Sequence, residues 1–183
     1  MRQGFLQIGC DVVDIFPVQP RTKVGWLAKK VVQRLMGKFY HWDREPAYLE
    51  AVGRIAGQRI QAAQPDFVIA VQSQACAYLK VDCPVVLTHD QTFLELQSYF
   101  PYEPRPRTGE YVRQAIEQEC ASFENADLIA YPSNRSCQTI ADCYGVPSEK
   151  LIMVPWGGNV PHPPSSDEVD EMIQSRRDGP IQL

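Results

Sequence analysis

The sequence predicts an α/β fold, a doubly wound parallel sheet with helices on both faces. Short continuous apolar runs alternate with longer segments of helical period. The runs at 67–71 (FVIAV), 85–88, 128–131 and 151–154 read as buried strands, and the chain between them is long enough for helical crossovers. At 183 residues, 44% hydrophobic and 22% charged, the chain suffices for one well-packed domain.

Taken in order, residues 12–16 read as a first strand closed by Pro17 and Pro20. Val24, Leu27, Ala28, Val31, Leu35 and Phe39 then recur at helical spacing, with Lys29, Lys30, Arg34 and Lys38 mostly elsewhere. This amphipathic helix is expected to form one layer of the fold with solvated lysines, and its basic face would also suit anionic lipid. Asp43 is expected to cap the next helix, with Pro46 in its first turn and a stripe of Tyr48, Val52, Ile55, Ala56, Ile60 and Ala63 ending before Pro65.

The strand at 67–71 is read as covered on both faces, and a short helix at 73–80 follows it. Pro84 introduces the strand at 85–88, which leads through polar His89, Asp90 and Gln91 to a short helix ending at Tyr99. The segment PYEPRPR at 101–107 is a surface loop. Thr108 or Gly109 starts a helix carrying Val112, Ala115, Ile116 and Phe123, and the strand at 128–131 comes after it. Ser133 as N-cap and Gly145 as C′ residue bound the next helix. Ser165 with Glu168 forms a capping box for a last helix to about Arg177, and residues 181–183 read as the start of a further strand.

The net charge of −4 divides unevenly: ten Lys/Arg face five Asp/Glu up to Ala62, and eight face seventeen beyond it. A basic half can meet phosphates or anionic lipid, but no aromatic-interleaved basic run or zinc finger points to nucleic acid. Six scattered cysteines without C-x-x-C, and three separated histidines, His41, His89 and His162, argue against a metal site or a disulfide scaffold. No signal peptide or membrane-spanning run is present, so a cytoplasmic chain is expected.

In a parallel sheet, ligands bind at the carboxyl ends of strands, which selects Gln72 and Ser73, His89 and Asp90, Ser133 and Asn134, and Gly157 to Asn159. His89 can donate to a sugar hydroxyl or phosphate and Asp90 can accept, although Asp90 would also serve as a helix cap. Gly157-Gly158 permits positive φ and close approach. Tyr131 and the cysteines read as packing. The sequence has no G-x-G-x-x-G, Walker loop or G-x-S-x-G, so dinucleotide oxidoreductases, P-loop NTPases and α/β-hydrolases lack their defining turns.

Residues 119–136 (ECASFENADLIAYPSNRS) and 144–160 (YGVPSEKLIMVPWGGNV) carry a recognisable order. Ala126-Asp127 precedes a strand, Ser133 opens a helix, and Tyr144-Gly145-Val146-Pro147 leads to Pro155-x-Gly157-x-Asn159. With Pro65-Asp66-Phe67-Val68 at a strand entry and Thr88-His89-Asp90 at a strand end, this resembles the N-terminal domain of family 4 glycosyltransferases. The resemblance implies a Rossmann-like half of a GT-B fold, truncated at both ends. Residues 1–160 would be the acceptor-side domain lacking its first strand, with 1–9 the tail of the first helix. Residues 161–183 would be a linker helix and the start of a C-terminal donor domain.

By the same resemblance, the parent enzyme transfers a hexose from a nucleotide sugar to a carbohydrate or lipid-linked acceptor, with retention and without metal. No resident cofactor is implied, because the nucleotide-sugar donor is a substrate held mainly by the C-terminal domain, and this chain alone would be inactive. His89, contacting the donor sugar, and Asp90 are the catalytic candidates. Ser73, Thr88, Gln91, Gly157, Gly158 and Asn159 are the substrate-binding candidates, the last three near the interdomain hinge. Peripheral membrane contact is compatible with a lipid-linked acceptor. The competing expectations are a non-catalytic Rossmann-like module that binds glycan or protein and a flavodoxin-like small-ligand domain.

Overall fold

Four of the apolar runs pair into one parallel sheet in the computed structural model, which describes residues 2–18, 20, 24–38, 44–99, 108–156 and 164–177. The order of elements is α1 (Arg2–Gln7), α2 (Val24–Leu35), α3 (Pro46–Ala63), β1 (Val68–Val71), α4 (Ser73–Cys76), β2 (Val85–Thr88), α5 (Phe93–Tyr99), α6 (Gly109–Asn125), β3 (Leu128–Tyr131), α7 (Asn134–Tyr144), β4 (Leu151–Met153) and α8 (Ser166–Arg177). The strands lie in the order β1-β2-β3-β4, flanked by helices, which makes this a Rossmann-like α/β fold. Ala70 pairs with Leu87, Leu87 with Ile129 and Ile129 with Leu151.

That row holds the core, for Ala70, Leu87 and Ile129 are buried with Val52, Ala56 and Ile60 of α3, Phe123 of α6 and Ile140 of α7. Burying each of the larger side chains contributes about 1.5–3 kcal/mol. Among the described residues β1 pairs with β2 alone, and Phe67 and Val71 are exposed, so this run is an edge strand and is not covered on both faces; β4 is the other edge, and the run expected to be buried at 151–154 leaves Ile152, Met153 and Val154 exposed. Asp127 joins two strand starts: its carboxylate accepts the Val85 N–H at 2.8 Å, and its own N–H donates to the Val85 carbonyl at 2.9 Å. This explains the Ala126-Asp127 pair, in which the alanine is buried at the end of α6 and the aspartate sets the register of its neighbour.

Further expectations are corrected. Residues 12–16 form no strand; the Arg59 guanidinium takes the Ile15 and Pro17 carbonyls that a ladder would use, and Asp14 pairs with Arg2 at 3.0 Å. The helix α2 forms, but Leu27, Val31 and Leu35 are exposed, so its stripe is not a layer against the described residues. Lys29 is not simply solvated, since it bridges Glu45 at 2.7 Å and Glu110 at 2.8 Å and ties α2 to α3 and α6. Glu45, rather than Asp43, is the N-cap of α3, with Pro46 supplying the fixed φ of the first turn.

The helix expected at 73–80 is also corrected, since it stops at Cys76. The Asn125 side-chain amide donates to the carbonyls of Cys76 and Leu79, drawing that segment into a turn. The turn crosses α3 where two glycines stand one helical turn apart. A Cβ on Gly53 would lie 2.2 Å from the Tyr78 carbonyl oxygen, and one on Gly57 3.0 Å from that of Lys80. The segment at 101–107, residues 157–163 and the strand expected at 181–183 lie outside the described residues.

Gly53→Ala should therefore destabilise the fold by about 1–3 kcal/mol despite the better helix propensity of alanine. Urea denaturation measures this, and a variant as stable as the wild type would show that the backbone approach is not tight.

Candidate functional site

Parallel pairing places the carboxyl end of every strand at one edge, and the chain continues there into the polar residues singled out from the sequence. The structure brings Ser73, Thr88, His89, Asp90 and Gln91 to that edge, where the Gln72 N–H donates to the Thr88 carbonyl at 3.0 Å and joins the first two loops. Ser73 and Thr88 are buried, while His89 and Gln91 are half-buried and Asp90 is exposed. Gly157, Gly158 and Asn159 lie outside the described residues.

The imidazole of His89 is held in a defined way. Its Nδ1 is 2.7 Å from Asp90 Oδ1, and the Gln91 N–H donates to Asp90 Oδ1 at 3.0 Å, its nitrogen lying 3.3 Å from His89 Nδ1. The carboxylate provides an acceptor for a proton on Nδ1 and takes the amide as well. On a neutral ring this leaves Nε2 as an acceptor, which has no hydrogen-bond partner among the described residues. Burial pulls the His89 pKa below its ordinary 6.5, against the pull of Asp90 and helped by the charge of Arg44.

Below His89 lies Tyr131, the last residue of β3, with ring centroids 6.4 Å apart and planes tilted by 33°. Tyr131 is completely buried beside Phe123, and burial pushes its phenol well above the usual value, so it is a neutral floor. Its hydroxyl has no partner among the described residues.

The sequence reading passed over the two carboxylates behind the site. Thr92 and Glu95 form a capping box on α5: the Thr92 N–H donates to Glu95 Oε2 at 2.9 Å, and the Glu95 N–H to Thr92 Oγ1 at 3.1 Å. The spacing of Thr92 and Glu95 was a readable signal. Glu95 Oε1 accepts from Ser136 Oγ, and Ser133 caps α7 as expected. The second carboxylate is Glu119 of α6, which accepts the Phe93 N–H. Gln72, with φ 91° and ψ 142°, is in a conformation costly for a non-glycine residue, about 1–3 kcal/mol, of the kind that gathers at functional edges.

A groove of about 860 Å³ lies at the opposite edge, by the strand starts, lined by Gln61, Gln64, Lys80, Asp82, Cys83 and Asp127 among others. Ligands of open α/β sheets bind at the other edge, and none of the candidate residues among the described ones lines this groove.

The family model for Glycosyltransferase Family 4 matches residues 4–160, from α1 through β4 to the glycine-rich segment. The chain belongs to glycosyltransferase family 4. Comparison with curated proteins gives no match. Membership supports glycosyl transfer as the general activity, with a sugar donor and an acceptor as substrates. For this family 4 domain, no helix among the described residues is long and apolar enough to cross a membrane.

A neutral, buried His89 stabilises the fold above pH 6.5, and that contribution is lost as the pH falls through the lowered value, because the unfolded chain binds the proton first. Urea midpoints measured from about pH 7 to about pH 5 should fall more steeply for the wild type than for His89→Gln. Equal slopes would mean that His89 titrates as an ordinary exposed ring.

Proposed function

We propose that this chain forms the acceptor-side half of a hexosyltransferase that moves a hexose from a nucleotide sugar to a carbohydrate or lipid-linked acceptor with retention. The observation that carries this reading is the Asp90-held imidazole of His89 at the carboxyl edge of the sheet. With Nδ1 engaged, Nε2 accepts a hydrogen bond from a hydroxyl of the donor sugar and orients its anomeric carbon toward the acceptor. Ser73, Thr88 and Gln91 shape the wall beside it. Catalysis is then mainly positioning, with the charge of the leaving diphosphate met by groups of a second, donor-binding domain. No resident cofactor enters, because the nucleotide sugar is itself a substrate.

In the same proposal, residues 1–160 form one domain and residues from 161 onward, with α8, lead toward the donor domain. The exposed apolar residues Leu27, Val31 and Leu35 of α2, accompanied by Lys30, Arg34 and Lys38, suit the cytoplasmic face of an anionic bilayer that carries a lipid-linked acceptor.

In the complete protein, His89→Ala should lower kcat/KM about tenfold or more, the scale of one lost hydrogen bond at a buried site, while the chain still folds. An unchanged kcat/KM would remove His89 from the site. Titration calorimetry of the complete protein with UDP-glucose and GDP-mannose provides the second check: binding of either supports the transferase, while binding of glycans alone supports a non-catalytic module.

A further inference from the structure

We infer that Glu119 is a positioning residue that holds the loop bearing His89, an inference resting on the reading of His89 as a sugar contact. Glu119 lies within α6 and is only 2% exposed. Both of its carboxylate oxygens accept the N–H of Phe93, the first residue of α5, at 2.8 and 2.9 Å, and the Tyr144 hydroxyl of α7 donates to Oε2. One side chain thus joins the start of α5, the middle of α6 and the end of α7.

The loop it reaches is short. Thr88 is fixed in the β2 ladder, Phe93 is fixed by Glu119, and His89, Asp90, Gln91 and Thr92 span the interval. Glu95 holds Thr92 from the α5 side and is bonded in turn to Ser136 of α7. Arg44, ahead of α3, has its guanidinium 5.8 Å from the centre of the Phe93 ring and donates to Gln118. A cation and two carboxylates therefore gather behind a loop whose opposite side is the candidate site.

Packing alone does not call for this arrangement. Glu119 occupies a buried position of a helix whose neighbouring buried positions include Tyr111, Ala115 and Phe123, and burying a carboxylate costs several kcal/mol unless hydrogen bonds compensate. Those bonds go to the amide that closes the His89 loop. A first-turn amide of α5 is the group that Glu119 accepts from, so the start of the helix, and with it the loop, is located by a residue 26 positions further along the chain.

The test is amide hydrogen exchange by NMR on the complete protein without substrate, for wild type, Glu119→Ala and Glu119→Gln. Glu119→Ala should speed exchange at Gln91, Thr92 and Phe93 about tenfold or more while leaving Ile129 and Ala130 of β3 as in the wild type. It should also move the His89 imidazole titration back toward 6.5 as the ring loses its fixed burial. Glu119→Gln, which keeps an acceptor oxygen, should restore protection to within about threefold of wild type.

Unchanged exchange at 91–93 in Glu119→Ala would overturn the inference, as would an equal rise at β3, which marks general destabilisation. If Glu119→Ala does not fold, Tyr144→Phe decides, because it removes one donor to the carboxylate: faster exchange confined to 91–93 supports positioning, and no change overturns it. These readouts need no sugar, so they stand or fall separately from the effect of His89→Ala on turnover.

Discussion

Parallel pairing constrains everything chemical in this molecule. It carries β1 through β4 to a common edge, so that residues far apart in the chain, Gln72, His89, Tyr131 and Ser133, stand at the ends of adjacent strands. The register is held from below as well as by the ladder. Asp127 fastens the starts of β2 and β3 to each other, and the Lys150 ammonium donates to the Ala126 carbonyl at 2.9 Å where β4 begins. A shift of one residue would turn Leu87 and Ile129 out of the core, and the Tyr131 floor would leave its place under His89.

The carboxyl edge is built from opposing demands. Burial favours an uncharged imidazole, the Asp90 carboxylate favours a charged one, and burial prevails. A second opposition lies behind the loop, where burial pushes the Glu119 pKa up while Tyr144, the Phe93 amide and the charge of Arg44 favour the carboxylate. The two groups bias the fold in opposite directions with pH. A lowered histidine costs stability in acid, and a raised glutamate loses its contribution as the pH rises from the ordinary 4.5 through the raised value. The contribution of Glu119 is therefore present in acid and that of His89 near and above neutral pH, and the two offset one another across the interval between.

Much of the fold was legible because its signals are local. The strands at 85–88 and 128–131, the helix start at Thr108 or Gly109, the Ser133 cap and the Gly145 terminus all follow from apolar runs and backbone chemistry that a few residues specify. The expectations that failed depend on distant partners. Residues 12–16 have strand composition, but Arg59 takes their carbonyls; α2 has the period of a layer helix, but its stripe remains exposed; and the turn after Cys76 is drawn by Asn125. At the site, His89 and Asp90 were legible from their place after an apolar run. Glu119 was not singled out, because its partner Phe93 is remote in sequence, although its place four residues from both Ala115 and Phe123 put it on the buried stripe of its helix.

The central claim is that the His89 imidazole, oriented by Asp90 at the carboxyl edge of the sheet, touches the donor sugar. The most direct measurement is NMR of the complete protein labelled with 13C at histidine Cε1, with the His89 resonance assigned from its disappearance in His89→Ala. On titration with UDP-glucose and GDP-mannose, the His89 resonance should move saturably with the nucleotide sugar that calorimetry shows to bind. A His89 resonance that stays in place while that donor is fully bound would contradict the claim.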